Sequence, residues 1–105
     1  MVEHERRHEH RILPHDLRGR VRHGHSLAIV NISATGAMVE GGTQLRPGAR
    51  IEVYLERDEW RRLVGAIVTR CVVATINARE GIIYRAGLSF TERCEWVSET
   101  ATRRG

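Results

Sequence analysis

The chain has 105 residues, which is enough for one domain with a modest core and too few for two such domains. Its 41% hydrophobic and 29% charged residues are typical of a soluble globular protein, and they exclude both a disordered chain and a transmembrane span of roughly 20 apolar residues. The net charge of +4 predicts an anionic partner, and the lack of an apolar signal-peptide core predicts a cytoplasmic protein.

The basic side chains are unevenly placed and of one kind. All 17 of them are arginines, and all six histidines lie at or before His25. The basic character is therefore concentrated towards the N-terminus, where an anionic partner would be met. The two cysteines, Cys71 and Cys94, have neither metal-ligand spacing nor a disulfide-rich context, so both are predicted to be reduced thiols.

Residues 1–15 differ in composition from the rest of the chain. They contain few apolar side chains and show no apolar periodicity. We expect them to form a flexible N-terminal arm that is mobile unless something holds it. Pro14 disfavours a helix at the residue before it and marks the entry into the folded part.

From Asp16 onward, small or apolar residues alternate with arginines in a period-two pattern. This pattern predicts a first strand with one apolar face and one basic face, the latter formed by Arg18, Arg20 and Arg22. We expect the basic face to be solvated, to discourage pairing at a sheet edge and to play only a supporting electrostatic part in binding. A tight connection is predicted at 23–25, where a glycine stands between two histidines.

Five more strands are predicted, at 26–32, 37–40, 51–56, 60–74 and 82–90. The longest of them, 60–74, is apolar on both faces. Thr91 is a plausible N-cap, and the residues that follow predict a short C-terminal helix and tail over 92–105. The predicted fold is all-β, a small six-stranded antiparallel β-barrel over 16–91, because closing the sheet removes its exposed edges.

The turn between the second and third predicted strands has a distinctive sequence, Asn31-Ile32-Ser33-Ala34-Thr35-Gly36. The Asn31 and Ser33 side chains can hydrogen-bond the local backbone, and Gly36 can adopt a positive φ without a steric penalty. Taken alone, this segment fits an ordinary hairpin corner equally well. Further upstream, the arm carries Arg6-Arg7-His8-Glu9-His10-Arg11.

Together these two segments resemble the hallmarks of the PilZ domain, a bacterial receptor for the second messenger cyclic di-GMP. The first hallmark is Arg-x-x-x-Arg in an N-terminal arm, here Arg7 to Arg11, and the second is Asp/Asn-x-Ser-x-x-Gly on the barrel, here Asn31 to Gly36. Their order and spacing match the family. The segment 84–90, Tyr-Arg-Ala-Gly-Leu-Ser-Phe, also looks like the family's last strand. The resemblance therefore covers nearly the whole chain.

The resemblance implies a non-catalytic receptor with a defined set of ligand-binding residues, namely Arg6, Arg7, Arg11, Asn31, Ser33 and Gly36. In that scheme the arm arginines grip guanine and phosphate, and the turn residues form the floor beneath the ligand. Many family members have Asp at the position of Asn31. An arginine at the position of Arg6 is associated in the family with a stacked ligand dimer, so two ligands per domain are predicted.

The chemistry of the ligand agrees with this scheme. Cyclic di-GMP presents two singly charged phosphates and two guanines with O6 and N7 acceptors, and guanidinium groups bind both through paired hydrogen bonds. Ligand binding is then expected to order the arm and to change the surface offered to a downstream protein partner. The sequence implies no cofactor, apart from cyclic di-GMP itself as the ligand, and no membrane insertion.

Two other functions fit the sequence. The chain could be a PilZ-like adaptor that binds a protein and no nucleotide, or a small basic barrel that binds RNA or single-stranded DNA. Nucleic acid is the less favoured partner because the chain has five aromatic residues, and none is interleaved with the basic stripe at 18–22.

Catalysis and metal binding are not predicted. The arm histidines His4, His8 and His10 are clustered, but no cysteine or carboxylate pattern completes a metal site around them. The chain also shows no nucleophile–base pair, and Asp16 and Asp58 are its only aspartates.

Overall fold

The structure is a computed structural model, and it describes residues 17–97. These residues form six strands: β1 (Arg18–Val21), β2 (Ser26–Ile32), β3 (Gly36–Gly41), β4 (Arg50–Arg57), β5 (Trp60–Asn77) and β6 (Gly81–Phe90). All neighbouring pairs are antiparallel, and the strand order β1-β2-β3-β6-β5-β4 closes into a barrel. The predicted all-β, six-stranded antiparallel barrel is confirmed.

The barrel interior is filled by the apolar residues of the alternating patterns. Most of the larger buried residues are isoleucine, valine or leucine, whose side chains pack well on the inner face of a pleated sheet. The buried cluster comprises Leu27, Ile32, Ala37, Val39, Val53, Leu55, Ala66, Val68, Ala86, Leu88, Phe90, Cys94 and Val97. β1 pairs with β2 on one side and with β4 on the other. The expectation that its arginines discourage pairing at a sheet edge is therefore wrong, because β1 is not an edge strand.

Two hairpin turns are explained by single side chains. Asp58 has a φ of 51° in the two-residue connection between β4 and β5, a left-handed conformation that aspartate tolerates better than most residues. In the connection between β5 and β6, the carboxamide oxygen of Asn77 accepts hydrogen bonds from the backbone amides of Arg79 at 2.7 Å and Glu80 at 2.9 Å. These bonds stabilise the turn at the far end of the longest hairpin.

The β5–β6 hairpin extends beyond its neighbours and is longer than predicted. β4 pairs with β5 only as far as Ile67, whereas β5 itself continues to Asn77. Four apolar residues on this extension are therefore exposed: Val72, Val73, Ile76 and Ile82. The apolar residues of β5 thus pack into the core only in the first half of the strand, and those in the second half are exposed.

After β6, residues 91–97 cross one end of the barrel. The backbone amide of Cys94 donates to the carbonyl of Ala34 at 2.7 Å, and the Trp96 ring packs edge-on against Trp60 with 4.9 Å between centroids. Cys71 and Cys94 are free thiols, as predicted. Burial raises the pKa of the Cys94 thiol, which keeps it protonated and unreactive at neutral pH.

Several predictions fall on residues that the structure does not describe. The arm at 1–15 lies outside the described residues, as does most of the helix predicted at 92–105. Between residues 17 and 97, no helix has the length and apolar character needed to cross a bilayer.

Candidate functional site

The turn between β2 and β3 brings three of the predicted site residues together. Asn31 is the second-last residue of β2 and pairs across the sheet with Met38, while Gly36 begins β3. Between them, the amide of Ser33 donates to the carbonyl of Gly36 at 2.8 Å and closes the turn. Asn31 is half-buried and lies at the rim of the turn, on the outer side of the barrel.

Ser33 is the one buried polar side chain among the described residues, with 0% of its surface exposed. Its hydroxyl oxygen accepts a hydrogen bond from the amide of Thr35 at 3.3 Å and lies 3.4 Å from the carbonyl of Gly36. The Thr35 hydroxyl is also 3.3 Å away. In this arrangement the Ser33 hydroxyl stabilises the turn from inside, because its hydrogen-bonding partners, Thr35 and Gly36, belong to the turn itself.

Gly36 is required by packing rather than by backbone conformation. Its φ is not positive, so the turn does not use the left-handed region that glycine permits. A Cβ atom at this position would overlap the carbonyl oxygen of Leu88 and would lie 3.5 Å from the Cα of Ser89, both in the adjacent strand β6. Only glycine allows β3 to approach β6 this closely.

The turn is held in place by the last residue of β6 and by the segment that follows this strand. The amide of Phe90 donates to the carbonyl of Thr35 at 2.8 Å, and the amide of Cys94 donates to Ala34 at 2.7 Å. Ala34 is only 4% exposed. The turn therefore has little freedom, and a ligand resting against Asn31 would meet a preformed surface rather than a mobile loop.

The outer face beside the turn carries a balanced pair of charges. Glu40, on β3, lies on the same face as Met38 and accepts hydrogen bonds from the Arg85 guanidinium of β6, at 2.7 Å from Nε and 2.5 Å from Nη2. Because Arg85 neutralises this carboxylate, Glu40 does not present an unpaired negative charge to an anionic ligand.

The predicted arm residues are not placed by the structure. Arg6, Arg7 and Arg11 lie outside the described residues, so the two halves of the predicted site are not seen together. The described residues also contain no group of three or more histidine, cysteine or acidic side chains that could hold a metal ion.

Two arginines of the predicted basic stripe, one on β1 and one just after it, are paired with carboxylates on β4. Arg20 contacts Glu56 at 3.4 Å, and Arg22 contacts Glu52 at 2.8 Å. The hydrogen bond to Glu52 raises the pKa of the Arg22 guanidinium. These pairs make the stripe less positive than the sequence indicated, which agrees with the expected solvated strand face.

One aromatic residue does stand within this basic surface, although the sequence did not reveal it. The register of β4 places Tyr54 directly opposite Arg20 and Leu63. The guanidinium groups of Arg20 and Arg61 each lie 4.8 Å from the centre of the Tyr54 ring. Two cations thus contact the ring that a nucleic-acid base would need for stacking, so Tyr54 is not an open platform.

Comparison with known proteins gives two positive findings. The sequence profile of the PilZ domain matches residues 5–94. Among solved structures, the fold is similar to that of MrkH from K. pneumonia in its complex with c-di-GMP, with a TM-score of 0.64 and 22% sequence identity. The alignment covers 89% of this chain and 46% of that chain, so this chain spans about half the length of MrkH in that structure. At this identity the likeness shows the fold alone. No curated protein matches the chain significantly in sequence.

Proposed function

The chain belongs to the PilZ domain family, and from this membership we propose that it is a non-catalytic receptor for cyclic di-GMP. The observation that carries the proposal is the pair of segments Arg7-x-x-x-Arg11 and Asn31-x-Ser33-x-x-Gly36 in one chain. The second segment forms a rigid turn at the barrel surface, which is a suitable floor for a ligand that the first segment would cover. The presence of c-di-GMP in the MrkH complex supports the same ligand for this domain.

In the proposed complex each residue has a distinct part. Arg7 and Arg11 bind guanine and phosphate groups through paired hydrogen bonds, and Asn31 hydrogen-bonds the ligand from the rim of the turn. Ser33 and Gly36 lie beneath this floor, and their contacts within the protein keep the turn in the shape that the ligand meets. Arg6 supports a second ligand stacked on the first, so two molecules of cyclic di-GMP bind each domain.

The arm acts as the switch in this proposal. Ordering a backbone residue costs roughly 1–2 kcal/mol, so an arm of about a dozen residues is ordered only when ligand contacts offset that loss. Binding would then replace a loose arm with a fixed surface. A downstream protein partner that contacts this surface would recognise the ligand-bound state alone.

Calorimetric titration of the whole chain with cyclic di-GMP tests the proposal. We expect heat of binding that saturates at two ligands per chain, and an increase in the thermal midpoint at high ligand concentration. At a hundredfold excess over Kd, each bound ligand adds about 2.7 kcal/mol to the free energy of unfolding. Linear GMP, which has one phosphate and one base, is the control. No heat and no thermal shift with cyclic di-GMP would reject the receptor function and favour a protein-binding adaptor.

The identity of residue 31 offers a second test. Replacing Asn31 with aspartate is expected to strengthen cyclic di-GMP binding by about tenfold, because a carboxylate accepts a guanine N–H bond roughly twice as strongly as a neutral amide oxygen. Asn77→Asp, the same change in the turn of the distant β5–β6 hairpin, is the matched control and should leave Kd unchanged. A higher Kd for Asn31→Asp than for wild type would mean that residue 31 faces a phosphate instead of a base.

A further inference from the structure

The outer face of the barrel beside Asn31 contains a row of residues from four strands. Cross-strand pairing joins Asn31 of β2 to Met38 of β3, Met38 to Gly87 of β6, and Gly87 to Arg70 of β5. Paired residues of an antiparallel sheet point to the same face. Asn31, Met38 and Gly87 are partly exposed and Arg70 is exposed, as expected for a row on the outside of the barrel.

A bulge in β5 directs Arg70 onto this row. The register between β5 and β6 shifts between Val68 and Arg70, so Thr69 is an extra residue in the strand. A Cβ atom added to Gly87 would lie 2.7 Å from the Thr69 hydroxyl oxygen and 3.6 Å from the Arg70 Cγ. Both side chains therefore lie across the glycine. Bulges of this kind often re-aim a side chain next to a binding site.

Arg70 also differs from several other arginines of the barrel in its electrostatic state. Arg20, Arg22 and Arg85 each contact a glutamate on an adjacent strand. Arg70 makes no ion pair with any residue in the described range 17–97. An exposed guanidinium without a carboxylate partner keeps its full capacity to bind an anion or a hydrogen-bond acceptor.

The surface of the row between Asn31 and Arg70 suits a flat aromatic ring. Met38 offers a polarizable thioether, which packs favourably against aromatic groups, and the Arg70 side chain lies across Gly87, the cross-strand partner of Met38. Three steps of about 4.8 Å between neighbouring strands separate Asn31 from Arg70, roughly 14 Å along the surface. The neutral pair of Glu40 and Arg85 lies on the next row of the same face.

We propose that Arg70 is a further ligand-binding residue, which receives the end of the bound nucleotide that is remote from Asn31. This inference rests on the proposed cyclic di-GMP function. One guanine lies over Met38, and its O6 and N7 atoms accept paired hydrogen bonds from the Arg70 guanidinium. Adenine has an amino group in place of O6, so the same contact makes Arg70 select guanine over adenine.

The test is a titration of the whole chain and of three variants with cyclic di-GMP and with cyclic di-AMP. Arg70→Ala should raise the Kd for cyclic di-GMP by tenfold to a hundredfold and should reduce the preference over cyclic di-AMP. Arg70→Lys keeps the charge but cannot form the paired bonds, so it should recover only part of the affinity. Arg79→Ala, in the turn at the far end of the hairpin, removes the same charge and should leave Kd within about twofold.

The outcomes separate this inference from the function on which it rests. If wild type binds cyclic di-GMP and Arg70→Ala binds it equally well, the role of Arg70 is rejected while the receptor function stands. If Arg79→Ala weakens binding as much as Arg70→Ala does, net charge rather than a specific contact is responsible and the inference is again rejected. If wild type shows no binding, both proposals fail together. Arg70 is exposed, so its replacement should leave the thermal midpoint of the free protein unchanged.

Discussion

Gly36→Ala is expected to lower the free energy of unfolding by about 3 kcal/mol, at the upper end of the range for an overpacked site. The added methyl group would overlap the carbonyl oxygen of Leu88, which is part of the β3–β6 ladder and has no rotamer to change. Relief therefore requires the two strands to separate. Urea unfolding followed by tryptophan fluorescence would measure the loss, because Trp60 and Trp96 pack together at the same end of the barrel as the turn.

Gly42→Ala is the matched control for this prediction. A Cβ atom on Gly42 would meet no other atom within 4 Å, and its φ is not in the left-handed region. The change in unfolding free energy should therefore be within about 0.5 kcal/mol. If Gly36→Ala were as stable as Gly42→Ala, the contact between the turn and β6 would be looser than described. The requirement for glycine at 36 would then have to come from the ligand instead of the fold.

The double variant Arg7→Ala/Arg11→Ala is expected to weaken cyclic di-GMP binding by about a hundredfold to ten-thousandfold. Each hydrogen bond from a guanidinium to a charged or strongly polar acceptor contributes roughly 1.5–3 kcal/mol, which is a factor of about ten to a hundred in Kd. The two losses multiply if the arginines contact different groups on the ligand. Calorimetric titration measures Kd directly, and the thermal midpoint of the free protein should not change.

The C-terminal arginines provide the control for net charge. Arg103→Ala/Arg104→Ala removes two positive charges beyond residue 94, where the match to the family ends. Its Kd should remain within about threefold of wild type, because neither arginine belongs to the two segments that carry the proposed ligand contacts. Equal losses in the two double variants would show that binding depends on overall charge. The assignment of the arm residues would then be withdrawn.

These two predictions address separate parts of the proposed site. Gly36 acts through the fold, since its neighbours are backbone atoms of β6, and its replacement should change stability in the absence of any ligand. Arg7 and Arg11 are expected to act through the ligand, and their replacement should change affinity and leave stability as it was. Measuring both quantities on both variants therefore distinguishes a residue that shapes the floor from one that contacts the nucleotide.

The sequence alone was sufficient to predict the strands and the turn that joins β2 to β3. Apolar residues alternate with polar ones in a period of two, and this pattern depends only on the geometry of a single strand. The predicted second strand, 26–32, coincides with β2. The resemblance to the PilZ family also depended on local order and spacing, which are properties of the chain before it folds.

Only the tertiary structure could show which residues become neighbours. The period-two pattern says which face a residue occupies but not which strand lies beside it, because pairing joins residues far apart in the chain. Tyr54 contacts Arg20 and Gly36 faces Leu88 for this reason. The row from Asn31 to Arg70 likewise exists only through the registers of four strands and one bulge.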